Sequence, residues 1–412
     1  MISRWLTSPP EAINQTKESA VQRVHTGLEQ LLASPPAWAR EGKLAFMANP
    51  ASVGPDYRHA RTLIAEALPG QLGALFSPQH GFFADKQDNM IESGHGIDPV
   101  TGVPVWSLYG ETRWPTDEMM EGIDTVVVDI QDVGTRVYTF IWTLSYIMEA
   151  AAKKGFHVAV LDRPNPIGGM LVEGNLIDEG YASFVGRYPI PMRHGMTIGE
   201  LALLFNERFG IGCDLTVVPM TGWQRSMHFS ETQLPWVLPS PNMPCEEAAL
   251  VYPGQVILEG CNLSEGRGTT RPFELFGAPY LDTDKLLASL EPESLAGCTL
   301  RETGFEPTFG KWQGELCRGF QIHVTDRDLF SPYRLSLDIV RAAISNHPED
   351  FAWKQPPYEY EYEKLPMDMI LGSIKLREGL EAGTPVSELE TAWQDELTEF
   401  NKVREPFLIY NP

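Results

Sequence analysis

The sequence predicts an α/β protein whose main sheet is parallel and covered by helices on both faces. Short, almost continuously apolar strands alternate with amphipathic helices, and each strand ends at a polar or proline-containing loop. A chain of 412 residues is too long for one ordinary hydrophobic core. After about residue 235 the composition changes, and the segments become rich in proline and glycine. We therefore predict two domains, at residues 1–235 and 236–412.

The elements of the first region are predicted in chain order from the spacing of apolar residues. A helix is expected over residues 20–33, where Val21, Val24, Leu28 and Leu31 recur at helical spacing. Beyond it, apolar runs that stop at polar loops predict strands, and longer amphipathic stretches predict helices. The strands are residues 43–48, 72–76, 124–129, 157–161 and 215–218, and the helices are residues 61–68, 137–154 and 197–209.

The helix over residues 197–209 carries a start signal, a capping box with Thr197 as N-cap and Glu200 as the third helical residue. In the second region, residues 254–279 are rich in glycine, polar side chains and turns. Regular elements then return as a strand over residues 321–325 and helices over residues 335–345, 374–382 and 386–400. This region is therefore predicted to be α+β.

Polar side chains recur just beyond the predicted strands of the first region. Since parallel strands end at the same edge of a sheet, and ligands bind beyond that edge, we expect these side chains to converge on one rim. The residues concerned are Asn49, Gln79, His80, Asp129, Gln131, Asp132, Asp162, Arg163 and Asn165. His80 is a candidate for binding substrate or handling protons, because histidine titrates near neutral pH.

Three further segments carry candidate binding groups. Arg136 shares one turn with two acids, and charges at such density need partners or a ligand. Arg193 and His194 precede the capped helix, where the arginine is suited to a carboxylate. The loop over residues 259–274 combines acids and arginines with glycines, as expected of a surface that faces a polyhydroxylated ligand. Its candidates are Glu259, Asn262, Glu265, Arg267 and Thr269.

Several classes are disfavoured by composition and by missing motifs. A net charge of −23 argues against general binding to nucleic acid or to an anionic membrane. The dispersed histidines and the 5 scattered cysteines predict no metal site, and no dinucleotide or GxSxG pattern occurs, so no cofactor is predicted. No signal-peptide or membrane-spanning pattern is present, and we expect a cytoplasmic setting. Carboxylate acid/base chemistry remains, which suits glycosidic bonds.

Several segments together resemble a known family, the bacterial DUF1343 (YbbC-like) proteins, whose characterised members are exo-β-N-acetylmuramidases of the NamZ type. The resemblance covers nearly the whole chain from about residue 43. The segments that carry it are SPQHG (77–81), PVWSLYG (104–110), DIQDVG (129–134), LDRPNP (161–166), VEG (172–174), PMRHGM (191–196) and residues 259–279, with further likeness at residues 377–381 and 400–410.

The resemblance implies a Rossmann-like domain joined to a smaller C-terminal domain, with the active site in the cleft between them. It also implies release of terminal N-acetylmuramic acid from peptidoglycan fragments, without nicotinamide or metal. The expected partner is therefore a peptidoglycan-derived sugar or muropeptide. Asn49, Gln131, Asp132, Asp162 and Asn165 are then expected to bind the sugar, together with the other binding candidates of the rim and of the three segments named above.

The chain departs from the family pattern at Gln79, where many relatives have glutamate. An amide cannot serve as an acid, so we expect the general acid among Glu92, Glu173 and Glu259, with a pKa raised by burial. His80 and Asp129 are expected to orient the sugar or water. Arg193, Arg163 and Arg267 are the candidates for binding the lactyl carboxylate of the sugar.

Two alternatives stay open at this point. Gln79 could mark a protein that binds a cell-wall sugar without turning it over. The sequence around Gln79 and Glu92 could instead mark a hydrolase or transferase with a different sugar specificity.

Overall fold

A computed structural model describes residues 23–86 and 90–412 of the chain. This part contains a seven-stranded sheet in a larger first domain and a three-stranded sheet in a smaller second domain. The strands of the first sheet are β1 (Leu44–Ala48), β2 (Leu72–Ser77), β3 (Gly96–Ile97), β4 (Pro104–Ser107), β5 (Thr125–Asp129), β6 (His157–Leu161) and β7 (Leu215–Val218).

The first sheet has the order β3-β4-β2-β1-β5-β6-β7, and only the short β3 runs antiparallel to its neighbour. β1 lies at the centre between β2 and β5, in a register that pairs Leu44 with Thr125 and Ala48 with Asp129. Every residue of β1 and β5 is buried, as expected of strands with helices over both faces. The predicted α/β class with a parallel main sheet is therefore confirmed.

The helices of the first domain are α1 (Gly27–Ala33), α2 (Ala37–Glu41), α3 (Ala60–Ala67), α4 (Phe140–Lys154) and α5 (Ile198–Glu207). The predicted capping box is confirmed: the Glu200 amide donates to Thr197 Oγ1 at 3.2 Å, and the Thr197 amide donates to Glu200 Oε2 at 3.0 Å. α4 ends at Gly155, whose φ of 81° provides the left-handed residue that closes a helix.

Two predictions about the first domain need correction. The helix expected over residues 20–33 begins only at Gly27, because Thr26 is its N-cap and forms a capping box with Glu29. Residues 20–22 of that prediction lie outside the described residues. β4 was not predicted, since a strand of this length that begins at Pro104 has no clear alternation.

The second domain packs helices against a small antiparallel sheet. Its strands are β8 (Leu275–Ala278), β9 (Cys298–Phe305) and β10 (Cys317–Val324), in the order β8-β10-β9. Its helices are α6 (Glu246–Gln255), α7 (Thr283–Ser289), α8 (Pro332–Asn346), α9 (Pro366–Leu371), α10 (Ile374–Glu381), α11 (Val386–Thr391) and α12 (Gln394–Arg404). α6 and α8 approach closely at Gly254, where an added Cβ would lie 1.8 Å from the carbonyl oxygen of Pro332.

The single helix predicted over residues 386–400 is wrong, because the structure divides it into α11 and α12. The break lies at Trp393, whose φ of −116° leaves the helical region while its side chain is 5% exposed. Packing of this large ring therefore overrides the local helical pattern. None of the helices in the described part of the chain is both long and apolar enough to cross a membrane.

The two domains share one apolar core, which includes Val126 and Val158 of the first sheet together with Phe276 and Phe320 of the second. This continuity sets the relative position of the loop after β2 and the loops of the second domain. Those loops form the walls of the cleft described next.

Candidate active site

A cleft lies between the C-terminal end of β2 and the loops of the second domain. Its internal volume is only ≈ 30 Å³. The first domain contributes Gln79, His80, Val137, Tyr138, Thr139, Phe140 and Val185, and the later part of the chain contributes Ser240, Asn242, Met243, Tyr252, Glu259, Arg267, Phe273, Tyr358 and Glu359. The predicted loop over residues 259–274 therefore faces the predicted histidine loop.

Glu359 is a carboxyl group of the second domain that is hydrogen-bonded to two side chains of the first domain. The Gln79 amide donates to Glu359 Oε1 at 3.0 Å, and the Tyr109 hydroxyl donates to Glu359 Oε2 at 2.7 Å. The Gln79 carbonyl in turn accepts from the Thr139 hydroxyl, so its amide nitrogen points at Glu359. Burial raises the pKa of Glu359 above its usual range despite these donors.

Glu259 also lines the cleft, and its pKa is shifted in the opposite direction. It belongs to a 3-10 turn, Val256–Gly260, and its Oε1 accepts from Arg267 Nη2 at 2.5 Å. Its Oε2 accepts from the Tyr358 hydroxyl at 2.9 Å. Burial opposes ionisation, but the charges of Arg267 and Lys354 and these hydrogen bonds lower the pKa of Glu259 below its usual value. The cleft therefore contains one carboxyl whose pKa is raised and one whose pKa is lowered.

His80 sits in the same cleft as a neutral imidazole. Its backbone φ is 72°, and its Nδ1 lies 2.8 Å from the carbonyl oxygen of Lys86. Burial lowers the pKa of His80 to about 4, so Nδ1 carries the proton that the carbonyl accepts. Nε2 is then the acceptor nitrogen of the ring.

A second, wider cavity continues from the cleft toward the surface. It shares Glu259, Arg267 and Tyr358 with the cleft and has a volume of ≈ 440 Å³, room for a sugar residue. The rings of Trp353 and Tyr358 line it, and Asn262 contributes a polar group. Aromatic faces beside amide groups are suited to the apolar faces and hydroxyls of a sugar.

The other predicted residues of the loop over 259–274 have structural partners. Glu265 lies between Arg267, at 3.4 Å, and Lys311, at 2.5 Å. Asn262 accepts from the Tyr280 hydroxyl at 2.7 Å, and the Thr269 hydroxyl donates to the backbone of its own turn. Asn262 and Glu265 line the outer cavity, whereas Thr269 lines neither cavity.

The rim residues after β1, β5 and β6 do meet, but in a closed network beside the cleft. Arg163 forms a two-point ion pair with Asp129, Nε to Oδ1 at 2.5 Å and Nη2 to Oδ2 at 2.9 Å, and both side chains are buried. The Asn49 amide donates to the carbonyl oxygen of Gln131 at 3.1 Å. The Gln131 amide donates to the carbonyl oxygen of Pro164 at 2.8 Å. None of these four predicted side chains lines the cleft.

Asp162 and Asn165 belong to the same network. Asp162 accepts from the Thr197 hydroxyl at 2.7 Å and the Tyr410 hydroxyl at 2.5 Å, and burial raises its pKa to about 7. The Asn165 amide donates to the carbonyl oxygen of Met196 at 3.0 Å. Both side chains therefore connect the β6 loop to neighbouring segments.

The predicted residues in and just after the DIQDVG turn, and those of the RHG segment, are buried in the protein interior, outside the cleft. The Arg136 guanidinium is fully buried and donates to the backbone carbonyls of Asn175, Ile190, Ile370 and Leu371. Asp132 accepts from the Gly134 amide and lies 3.5 Å from His194 Nε2. Arg193 donates to the carbonyl oxygen of Ile167 at 2.6 Å. The structure brings none of these side chains into the cleft.

The two other carboxylates expected to serve as the acid are also outside the cleft. Glu173 Oε1 accepts from the Tyr333 and Arg334 amides at 3.0 Å each, so it caps α8 from the first domain. Burial raises its pKa to about 7. Glu92 is exposed and accepts one hydrogen bond, from the Tyr360 hydroxyl at 3.3 Å.

The sequence reasoning missed Glu359 and Tyr358. They lie in the segment YEYEY (358–362), where carboxylates and tyrosines alternate next to proline residues. That composition could have indicated a site, although no strand end or known spacing marks it. In residues 23–86 and 90–412, no group of three or more His, Cys, Asp and Glu side chains could hold a metal ion.

Two buried carboxyl groups, one with a raised and one with a lowered pKa, lie beside a sugar-sized cavity, an arrangement typical of glycosidases. Comparison with known families agrees with this class. Residues 44–247 match the family model described as Exo-beta-N-acetylmuramidase NamZ, N-terminal, and residues 250–410 match the corresponding C-terminal model. The chain therefore belongs to the NamZ family of exo-β-N-acetylmuramidases, which are glycosidases.

Individual relatives support the same assignment. The chain is 44% identical over 404 residues to the peptidoglycan beta-N-acetylmuramidase NamZ of Bacillus subtilis, covering 98% of this chain and 95% of that protein. A DUF1343 family crystal structure from Bacteroides fragilis has a TM-score of 0.85 at 32% identity, covering 94% of this chain and 99% of the other. A second one from the same organism has a TM-score of 0.73 at 29% identity, covering 95% and 99%. The family resemblance predicted from the sequence is confirmed.

Proposed function

We propose that this protein releases terminal N-acetylmuramic acid from peptidoglycan fragments, with Glu359 as the general acid. The observation that carries the proposal is the pair of buried carboxyls, Glu359 with a raised pKa and Glu259 with a lowered one, in a single cleft. The substrate class follows from the relative in Bacillus subtilis, which is named a peptidoglycan beta-N-acetylmuramidase. The cytoplasmic setting expected from the sequence stays a prediction.

The proposed reaction breaks the bond between the anomeric carbon and the glycosidic oxygen. Glu359 gives its proton to that oxygen, so the leaving sugar departs as a neutral alcohol. Glu259, ionised beside Arg267, stabilises the positive charge that develops at the anomeric carbon. Water adds to the anomeric carbon and supplies the hydroxyl group of the product, and the proton that this water loses restores the protonated form of Glu359. The Nε2 acceptor of His80 is suited to orient the water.

Gln79 has a positioning role in this proposal. Its amide nitrogen donates to Glu359 Oε1, and its carbonyl is held by Thr139, so the amide fixes the orientation of the acid. Because the Gln79 side chain is an amide, it cannot serve as an acid, and Glu359 supplies the proton. The outer cavity, which is contiguous with the cleft, is suited to receive the leaving-group sugar.

The test compares two substrates that differ in how much they need an acid. On the β-linked disaccharide of N-acetylmuramic acid and N-acetylglucosamine, Glu359→Gln should lower kcat by about 10²- to 10⁴-fold. On the para-nitrophenyl β-glycoside of N-acetylmuramic acid, the loss of kcat should be smaller, because para-nitrophenolate leaves without protonation. Glu259→Gln should slow both substrates to a similar extent.

The matched control is Glu92→Gln, which removes an exposed carboxylate near the same loops. Full activity of Glu359→Gln on the disaccharide would show that another residue is the acid. Absence of turnover by the wild-type protein on both substrates, together with measurable binding of N-acetylmuramic acid, would favour the alternative of a sugar-binding protein. The para-nitrophenyl glycoside of N-acetylglucosamine is assayed alongside. If the protein hydrolyses only this glycoside, the alternative of a different sugar specificity would be favoured.

A further inference from the structure

Arg113 lines neither cavity but lies beside Tyr109, whose hydroxyl donates to Glu359, and its positive charge is stacked on aromatic rings. It follows β4, and its Cζ lies 4.1 Å from the ring centroid of Phe184, 4.5 Å from that of Tyr360 and 5.7 Å from that of Tyr109. The side chain is half-buried. No carboxylate within the described ranges forms an ion pair with it. A guanidinium held this way keeps its donors available for an anion.

Arg187 shows that stacking in this cluster does not by itself leave an arginine unpaired. Its Cζ lies 3.6 Å from the ring centroid of Tyr146, which stacks on Phe184. Yet Arg187 also donates to Glu149 Oε1 at 2.8 Å and to the Ser145 hydroxyl at 2.6 Å. Two arginines therefore share one aromatic cluster, and among the residues that the structure describes only Arg187 has a carboxylate as its ion-pair partner.

Arg113 is also close to the proposed acid. Tyr109, one of the rings beneath it, donates its hydroxyl to Glu359, and Tyr360 is the next residue in the chain. The charge of Arg113 acts on Glu359 and lowers its pKa, against the larger effect of burial. The unpaired guanidinium and the acid are therefore joined through the same aromatic wall.

The arginines that the sequence suggested for this purpose are already neutralised or occupied. Arg163 is paired with Asp129, and Arg267 contacts both Glu259 and Glu265. Arg193 is buried, and its Nη2 donates to a backbone carbonyl. Arg163 and Arg193 do not line the cleft, and Arg267, which does, is already paired with two carboxylates.

We propose that Arg113 binds the lactyl carboxylate of the terminal N-acetylmuramic acid and so selects this sugar over N-acetylglucosamine. The inference rests on the proposed function. The lactyl ether is attached two carbons from the anomeric carbon, so its receptor must lie within one sugar ring of the acid. A planar guanidinium can hold a carboxylate through two parallel hydrogen bonds. In a chain of net charge −23, an anionic substrate also needs a local positive group.

Lys354 is the competing cation. It is exposed, its Nζ lies 5.4 Å from the ring centroid of Tyr358, and it lines the outer cavity. Arg113 is preferred because three rings hold its fork in place, whereas an exposed lysine loses more side-chain entropy when it binds.

The experiment measures a preference ratio, kcat/KM for the para-nitrophenyl glycoside of N-acetylmuramic acid divided by that for its lactyl methyl ester. The wild-type protein should prefer the free acid by about 10- to 100-fold. Arg113→Gln should bring this ratio close to one by slowing the acid and sparing the ester. Arg113→Lys, which keeps the charge without the fork, should give an intermediate ratio and serves if the glutamine variant does not fold.

Arg187→Gln is the matched control, because it removes a stacked arginine whose charge is paired; its ratio should equal that of the wild type. An Arg113→Gln protein that keeps the wild-type ratio would overturn the proposal, as would a ratio lost only in Lys354→Gln. Calorimetric binding of N-acetylmuramic acid and its methyl ester gives the same comparison without turnover. If the proposed function fails but this inference holds, the wild-type protein will bind N-acetylmuramic acid more tightly than its methyl ester and hydrolyse neither glycoside.

Discussion

Two groups of polar residues lie at the C-terminal edge of the main sheet, and they serve different purposes. After β1, β5 and β6, the side chains of Asn49, Asp129 and Asp162 have partners within the first domain, as Asp129 has in Arg163. After β2, Gln79 and His80 instead face loops of the second domain across a cleft. One edge of one sheet therefore contains both a closed network and an open site.

The difference lies in what compensates each charge. Asp129 is paired with a full positive charge, so its carboxylate is stable inside the protein. Within the described part of the chain, the hydrogen bonds to the Glu359 side chain come from two neutral groups, Gln79 and Tyr109, and burial raises its pKa. A buried carboxyl with neutral donors can give up a proton in a reaction, whereas one in a buried ion pair holds the loops together. Substitutions of Asp129, Gln79, Tyr109 and Glu92 test this contrast.

The largest effect on stability is expected from Asp129→Ala. Removing one partner of a buried ion pair leaves Arg163 uncompensated, which should lower the free energy of unfolding by about 3–5 kcal/mol. Urea denaturation measures this value, and kcat of the folded protein should change far less than in Glu359→Gln. The control is Asp117→Ala. The Asp117 side chain is 96% exposed and forms an ion pair with Lys154, so its removal should lower the free energy of unfolding by only about 0–1 kcal/mol. A stable but inactive Asp129→Ala protein would assign Asp129 to catalysis.

A smaller effect, on the pH profile, is expected from Gln79→Glu. The general acid is active while protonated, so activity falls as the pH rises through the pKa of Glu359. A second carboxyl 3.0 Å from Glu359 Oε1 would replace a donor that favours ionisation and add like-charge repulsion, which both raise the pKa of the pair.

The alkaline limb of kcat should therefore move up by about one pH unit or more. Tyr109→Phe removes the other donor to Glu359 and should move the limb in the same direction by less. A limb that stays in place in both variants would exclude Glu359 as the titrating acid.

The smallest effect is expected from Glu92→Gln, although the sequence made this residue a candidate acid. Glu92 is exposed and accepts one long hydrogen bond, from Tyr360. Its replacement should change the free energy of unfolding by less than about 0.5 kcal/mol and kcat by less than about twofold. Thermal unfolding and the disaccharide assay measure both quantities, and a loss of activity near that of Glu359→Gln would bring Glu92 into the mechanism.

The elements and the family could be predicted because their signals are local. Apolar runs such as residues 157–161 form the predicted strand without change, and the Thr197 capping box is present as predicted. The convergence of Asn49, Gln131 and Arg163 followed from the parallel sheet alone, since such strands end at one edge. Local rules failed where packing decided, as at Trp393, which divides a predicted helix.

By itself, then, the sequence determined the fold class, the family and the group of polar residues from which a site could be built. Which carboxyl is poised to act was decided only by the tertiary structure. Glu359 meets Gln79 across 280 positions of chain, and Asp129 meets Arg163 across 34. A pKa depends on burial and on the charges nearby, and both arise only when distant segments pack together.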